Sequence, residues 1–234
     1  MALIFNSDIL KKIKTIYVSL TKNNEFEASF QYLTFKDFVN IIGYLKHKKE
    51  DIIIKTELDI IYNYGNMKSY RLTINGLENI NKELSKVSNR KNHIIFSILA
   101  SNLNENITLM KKEKNIKKTF DIDDYNIRMK LCDEESVTDT EKKELFQINY
   151  SNIEKINFRF KQRYSIILVD NQEISIRIDA TIVKMNNDIN ELYTSPDNYE
   201  LEVEMIKKKE TNSTKTKLYL ETMLKEIINI KKVL

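Results

Sequence analysis

The chain has 234 residues, of which 41% are hydrophobic, so one domain with a sizeable core is possible. Its 38 lysines and arginines exceed its 34 aspartates and glutamates by only four, so the net charge does not favour a general nucleic-acid-binding protein. One cysteine and two histidines exclude an internal disulfide and a cysteine-rich zinc site and disfavour a histidine triad.

Helices and strands alternate in the first third of the chain. A helix over residues 7–20 has Ser7 or Asp8 available as its N-cap. Thr34 and Asp37 have the spacing of a capping box and predict the start of a second helix. The other elements predicted here are a strand over 25–32, a hairpin of 51–63 and 67–74 that turns at Asn63-Tyr64-Gly65-Asn66, and a helix over 76–87.

Strands dominate the rest of the chain. The predicted strands are 93–100, 106–114, 125–134, 156–169, 173–184 and 198–207, with a turn at Asp170-Asn171. The acidic segment 133–143 predicts an exposed loop, and 214–232 predicts a closing helix. Since no linker divides the chain, we expect one α+β domain over 1–234, in which antiparallel strands are flanked by helices at both ends.

Two predicted strands carry carboxylates on one face. Side chains alternate faces along a strand, so Glu200, Glu202 and Glu204 share a face opposite Leu201, Val203 and Met205. Glu25 and Glu27 likewise lie opposite Phe26, Ala28 and Phe30. Carboxylates would be the ligands of any metal in this chain, which favours hard ions such as Mg²⁺ or Mn²⁺.

Four other strands carry mainly cations on one face. The residues that share a parity are Arg159, Lys161 and Arg163; Arg177 and Asp179; Arg128, Lys130 and Glu134; and Lys112 and Lys114. For any one strand, the simpler interpretation is a half-exposed strand with its charges in solvent. Taken together, the six faces also fit the interior of a closed, wet barrel that holds a cation and a polyanion, with its apolar faces under helices.

The two acidic motifs, Asn24-Glu25-Phe26-Glu27-Ala28-Ser29-Phe30 and Ser195-Pro196-Asp197-Asn198-Tyr199-Glu200-Leu201-Glu202, resemble those of the triphosphate tunnel metalloenzymes. Within that superfamily the chain resembles the RNA 5′-triphosphatase domain of mimivirus-type mRNA capping enzymes, from about residue 8 to the final helix. The adenylate cyclase and thiamine-triphosphatase branch has E-x-E-x-K at the first motif. Ser29 replaces that lysine here, which disfavours the small-molecule branch.

The resemblance implies an eight-stranded antiparallel tunnel with Mg²⁺ or Mn²⁺ on Glu25, Glu27 and Glu204, supported by Glu200 and Glu202. Lys161, Arg163 and Arg177 would contact phosphate, with Asp179 holding Arg177 in place. Arg159, Arg128, Lys130, Lys112, Lys114 and Arg71 would complete the basic wall, and Glu134 is the candidate for the carboxylate that activates water.

The resemblance further implies removal of the γ-phosphate from triphosphate-ended nascent mRNA, together with hydrolysis of nucleoside triphosphates. Linked guanylyltransferase and methyltransferase domains are expected partners. No secretory signal or membrane-length apolar stretch is recognisable, so we expect a cytoplasmic or virion protein without a membrane partner. Two alternatives remain, a small-molecule triphosphatase or polyphosphatase with the same tunnel and a non-enzymatic β-barrel scaffold subunit.

Overall fold

A computed structural model describes residues 5–18, 20–21, 24–64, 68–87, 90–147, 156–209 and 213–234. Its helices are α1 (Ser7–Val18), α2 (Phe35–Lys48), α3 (Leu77–Lys86), α4 (Asn92–Ser101), α5 (Asp139–Gln147) and α6 (Ser213–Lys231). Its strands are β1 (Asn24–Leu33), β2 (Ile53–Tyr64), β3 (Lys68–Asn75), β4 (Ile107–Ile122), β5 (Ile127–Ser136), β6 (Ile156–Asp170), β7 (Ile174–Asn186) and β8 (Asn198–Lys207). The predicted α+β class is confirmed, with antiparallel strands flanked by helices near both ends.

The eight strands form one sheet in the order β1-β5-β4-β3-β2-β6-β7-β8, and every neighbouring pair is antiparallel. β1 pairs with β5 along one edge and with β8 along the other, so the sheet closes on itself. This pairing brings the two acidic strands, β1 and β8, next to each other.

The apolar faces of the strands point outward and are covered by helices in two clusters. One cluster joins β1, β5, β7 and β8 to α1, α2 and α6 through residues such as Ile13, Ile41 and Met223. The other joins β2, β3, β4 and β6 to α3 and α4 through Ile80 and Phe96. Because the apolar side chains lie outside the barrel, the alternating charged side chains lie inside it. The barrel interpretation of the charged faces, and not the half-exposed one, therefore describes this molecule.

Residues 93–100 form a helix, so the predicted strand there is wrong. The segment is almost continuously apolar, and such a run does not distinguish a strand from a buried helix by its periodicity. α4 buries Ile95, Phe96 and Leu99, which recur at helical spacing against the second cluster. Helix packing outside the barrel therefore decides the conformation.

The prediction of an exposed loop over 133–143 is correct for exposure at residues such as Glu135, Thr138 and Asp139 but wrong for the loop. β5 continues to Ser136 and α5 begins at Asp139. The Thr138 backbone N–H donates to the Glu141 carboxylate at 3.0 Å, and the Glu141 N–H donates to the Thr138 hydroxyl at 3.2 Å. This reciprocal pair is a capping box, a signal that was present in the sequence.

Two local predictions are confirmed. Thr34 and Asp37 form the capping box of α2, and the Asn171 N–H donates to the Ile174 carbonyl at 3.0 Å in the β6–β7 turn. The predicted turn at 63–66 extends into residues outside the described ranges. Among the described helices, none is long and apolar enough to cross a bilayer.

Candidate active site

A cavity of about 260 Å³ lies inside the barrel, and its lining is almost entirely polar. The residues that line it and were predicted from the sequence are Glu25, Glu27, Arg71, Lys112, Lys130, Arg159, Lys161, Arg163, Arg177, Glu200, Glu202 and Glu204. Carboxylates and cations therefore share one enclosed space, as the alternation of the strands predicted.

Three glutamates converge at the junction of β1 and β8. Glu25, Glu27 and Glu204 are buried, and one carboxylate oxygen from each lies within 4.8 Å of the others. Glu27 and Glu204 are direct partners in the β1–β8 register. Three carboxylates at this separation supply the oxygen ligands that a hard divalent cation requires, so the residues fit such an ion.

The charge of this cluster is costly without a cation. Burial and the neighbouring Glu202 raise the pKa of Glu27 to about 8. Burial and Glu25 raise the pKa of Glu204 well above its usual value, although Arg177 opposes the shift. The cluster is therefore partly protonated near neutral pH unless a cation compensates its charge.

The other two glutamates of β8 lie outside this cluster among the described residues. Glu202 bonds the Glu27 carboxyl, and although burial opposes its ionisation, that bond together with Lys130 and Arg163 lowers its pKa to about 2. Glu200 accepts two hydrogen bonds from Arg159, at 2.6 and 2.7 Å. Glu202 thus adjoins the cluster, whereas Glu200 is committed to a cation.

Lys161 is buried between two carboxylates of β2. Its Nζ lies 2.9 Å from Glu57 and 2.7 Å from Asp59. Asp59 is fully buried and also accepts a hydrogen bond from the Thr73 hydroxyl at 2.7 Å. These contacts fix the ammonium group against the wall of the cavity.

Asp179 joins Arg163 of β6 to Arg177 of β7. Its carboxylate lies 3.1 Å from both Arg163 and Arg177 and accepts a hydrogen bond from Ser165 at 2.6 Å. Arg177 also contacts Glu204 at 2.6 Å, which connects the basic wall to the glutamate cluster. This arrangement agrees with the expected contact between Asp179 and Arg177 and adds Arg163 to it.

Two guanidinium nitrogens in the cavity are buried without a hydrogen-bond acceptor in the described part of the chain, Nε of Arg159 and Nε of Arg163. Unpaired buried donors are costly, and an anion in the cavity would satisfy them. Their position is therefore compatible with phosphate oxygens.

The remaining predicted site residues divide into three groups. Lys130 lies 2.7 Å from Glu27, and Arg71 and Lys112 line the cavity. Arg128 does not line the cavity and instead pairs with the exposed Asp121. The side chains of Lys114 and Glu134 lie outside the described part of the structure, although the backbone places Glu134 opposite Lys112 in the β4–β5 register.

Sequence reasoning missed Glu57 and Asp59. Both lie in the alternating segment Thr56-Glu57-Leu58-Asp59-Ile60, which has the same pattern as the acidic strand β8. The pattern was available, but only the β2–β6 register reveals that these carboxylates meet Lys161.

Comparison with known proteins supports this picture. No family model matches the chain. A probable mRNA-capping enzyme of Acanthamoeba polyphaga mimivirus is 30% identical over 199 residues, which cover 84% of the chain but only 17% of that relative's length.

The solved structures that resemble the chain include the RNA triphosphatase domain of a trifunctional mimivirus mRNA capping enzyme, with a TM-score of 0.77 and 26% identity. That match covers 98% of the chain and 97% of the domain. A monoclinic crystal structure of the mimivirus capping enzyme triphosphatase also has a TM-score of 0.77, with 25% identity over 98% of this chain and 99% of the other. The chain therefore resembles the RNA triphosphatase domain of the mimivirus capping enzyme over nearly its whole length and shares its fold.

Proposed function

We propose that the barrel is a triphosphate tunnel and that the protein is a metal-dependent RNA 5′-triphosphatase, which hydrolyses the γ-phosphate of triphosphate-ended RNA. The observation that carries the proposal is the cluster of Glu25, Glu27 and Glu204, which faces Lys161, Arg163 and Arg177 within one enclosed cavity. A non-enzymatic scaffold has no need for this costly interior, because buried charges stabilise a fold poorly.

The three glutamates would hold Mg²⁺ or Mn²⁺, which would reduce the charge on the γ-phosphate and help to orient it. Arg163 and Arg177, held by Asp179, would bind the equatorial oxygens, where charge spreads as the anhydride bond breaks. Lys161, fixed by Glu57 and Asp59, would bind a further phosphate oxygen. The basic wall would be extended by Arg159, Lys130, Arg71 and Lys112. We assign Lys114 to the same wall because it lies on β4, the strand of Lys112.

The site would also be supported by Glu202 and Glu200, which would not bind the ion directly. Glu202 bonds Glu27, and Glu200 holds Arg159. Glu134 remains our candidate for the carboxylate that orients the attacking water, because it has the same parity in the sequence as Arg128 and Lys130 and its backbone lies opposite Lys112 in the β4–β5 register.

RNA as the substrate is supported by the RNA triphosphatase domain that the chain resembles. By the same reasoning, we propose that 1–234 is a single domain that acts in cap formation together with linked guanylyltransferase and methyltransferase domains, in the host cytoplasm or in the virion. Hydrolysis of nucleoside triphosphates is expected in the same cavity, because the named contacts are to phosphate and not to a base. The small-molecule triphosphatase remains the second candidate, since the cavity residues alone do not distinguish the two substrates.

The proposal is tested by phosphate release from triphosphate-ended RNA, tripolyphosphate and ATP, with Mg²⁺, with Mn²⁺ and with a chelator. We expect metal-dependent release from all three substrates. Glu27→Ala and Glu204→Ala should each lower kcat at least a hundredfold while the protein stays folded by circular dichroism, because each removes one of three ligands. Glu221→Ala, on the outer helix α6, is the matched control and should retain full activity.

Three results would contradict parts of this proposal. Full activity in either cavity variant would overturn the metal site. Hydrolysis of tripolyphosphate without hydrolysis of RNA would favour the small-molecule enzyme. No release from any substrate by the unaltered protein would leave the scaffold interpretation.

A further inference from the structure

An exposed aromatic residue with an unfavourable backbone conformation lies at one rim of the barrel. Tyr32, near the end of β1, has a φ of 61° and is 83% exposed. Asn126, in the turn before β5, has a φ of 52°, and its carbonyl accepts a hydrogen bond from the Gln31 N–H at 2.8 Å. Among the described residues other than glycine, these two have positive φ, and they adjoin each other at this rim.

Burial of the Tyr32 side chain does not compensate for its unfavourable backbone conformation, because the side chain is exposed. Left-handed φ values are uncommon for bulky residues, and asparagine and glycine adopt them far more readily. The β1–β8 register shifts between Phe30 and Leu33, and this irregularity turns the Tyr32 ring towards solvent. Strained residues of this kind cluster at active sites, ligand clamps and switch regions.

A cation lies near the same rim of the barrel as this ring. Arg128 is two residues before Lys130 on the same face of β5, so the two Cα atoms are about 7 Å apart along the strand. Lys130 contacts Glu27 inside the cavity, whereas Arg128 lies opposite Ser29 in the β1–β5 register, three residues before Tyr32 and near the same rim. The positive wall therefore continues from the cavity to the exposed ring.

The present partner of Arg128 is replaceable. Asp121 binds the guanidinium through two hydrogen bonds, at 2.7 and 3.0 Å, but both side chains are more than 40% exposed. Exposed ion pairs contribute little stability. A phosphodiester could thus take the place of Asp121 at small cost.

We propose that Tyr32 and Arg128 form a subsite for the first nucleotides of the RNA chain, where it leaves the cavity. This inference rests on the proposed triphosphatase function. The Tyr32 ring stacks on a nucleobase, and Arg128 binds the adjoining phosphodiester. Stacking tolerates any base, so the subsite recognises a nucleic-acid chain without reading its sequence.

The test compares two substrates in the same variants. Tyr32→Asn and Tyr32→Gly remove the ring and suit a positive φ, so both should remain folded. We expect KM for triphosphate-ended RNA to rise about tenfold, since the stacking of one base is lost, while kcat and the hydrolysis of tripolyphosphate stay unchanged. Tyr219→Ala removes an aromatic ring beside the β6–β7 turn at the opposite end of the barrel and should leave both substrates unaffected.

A second variant tests Arg128, and it should change KM for RNA in the direction opposite to the Tyr32 variants. Asp121→Asn removes the competing carboxylate, so KM for RNA should fall severalfold while KM for tripolyphosphate stays the same. Asp139→Asn, at the start of α5, is the control for loss of one negative charge.

Separate results overturn the inference and the proposed function. An unchanged KM for RNA in both Tyr32 variants, with an unaltered protein that hydrolyses RNA, would overturn the subsite alone and leave the exposed ring as a contact for a protein partner. Equal rises in KM for RNA and tripolyphosphate would also overturn it, because the effect would then lie in the phosphate site. An unaltered protein that hydrolyses only tripolyphosphate would overturn the RNA assignment, and the subsite with it.

Discussion

Glu27 shares a hydrogen bond with Glu202 and lies beside Glu25 and Glu204 at the junction of β1 and β8. Each of these carboxylates gives up hydration when the barrel forms, and each added negative charge makes the next more costly. A proton on Glu27 and a divalent cation on the cluster are therefore alternative ways to neutralise the same site.

Stability of the metal-free protein should consequently fall as pH rises. The pKa of Glu27 is about 8 in the folded protein and 4.5 without the shift, so its contribution to stability is complete below about pH 4.5 and is lost as pH rises towards 8. We expect Tm in chelator to fall between pH 5 and pH 8, by ~2–4 °C for each kcal/mol of stability that is lost at this chain length. Thermal unfolding followed by calorimetry measures the effect.

The same titration with Mn²⁺ or Mg²⁺ is its control. If the glutamates bind the cation as proposed, they do so in their ionised form, so it should raise Tm most at pH 8 and least at pH 5. The pKa of Glu202 is lowered to about 2, so this residue changes the stability only below about pH 4.5 and does not affect the comparison between pH 5 and pH 8. A Tm that stays constant with pH, or a metal effect on Tm that is largest at pH 5, would contradict neutralisation of the cluster by a proton or a cation.

Asp59 should matter for stability because it holds a buried ammonium group. Asp59→Leu leaves Lys161 with Glu57 as its remaining described carboxylate partner, and breaking a buried pair costs ~3–5 kcal/mol. We expect a loss near the lower end, about 3 kcal/mol, in urea unfolding. The double variant Asp59→Leu, Lys161→Met should recover much of that loss, whereas additive losses would contradict a direct pair.

At the scale of single elements, helix α2 depends on its capping box. Thr34→Ala removes the hydroxyl that accepts from the Asp37 N–H and should lower the free energy of unfolding by about 1 kcal/mol. Thr15→Ala is the matched control, because the Thr15 hydroxyl bonds the Lys11 carbonyl within α1 and adds little to that helix. Equal stability of the two variants would show that the box is dispensable.

Elements with a local signal were predictable, and those fixed by packing were not. The capping box at Thr34 and the turn at Asp170–Asn171 are local signals, and both predictions are confirmed. The apolar run that forms α4 has no local signal that separates helix from strand, so the strand prediction there is wrong. The α5 helix differs again, because its Thr138–Glu141 box was readable but its acidic composition suggested a loop.

The barrel joins two apolar clusters into one molecule. Leu224 belongs to the cluster under α6, and Phe158 belongs to the cluster under α4. Because closed pairing connects all eight strands, Leu224→Ala and Phe158→Ala should each remove about 2–5 kcal/mol from the same cooperative transition. Two separate calorimetric transitions in either variant would show that the clusters unfold independently.

At the scale of the whole molecule, the sequence predicted which strand faces carry charge, but not which charged residues contact each other. The parity of β1 and β8 was enough to place Glu25, Glu27 and Glu204 on inward faces. Strand order and register determine the partners, and neither follows from alternation alone. For this reason the contact of Lys161 with Glu57 and Asp59 was missed, and Arg128 was assigned to the inner wall although it lies at the rim.

Cys132 is opposite Glu25 in the β1–β5 register and is buried. Burial raises the pKa of its thiol to about 11, so in the closed barrel it is both shielded and protonated. As the one thiol of the chain, it reports on opening of the barrel, because a buried thiol can be alkylated only when the structure around it opens. If Cys132 is alkylated more slowly in Mn²⁺ than in chelator, a bound ion reduces the rate at which the barrel opens. The measurement needs no label attached to the protein beforehand.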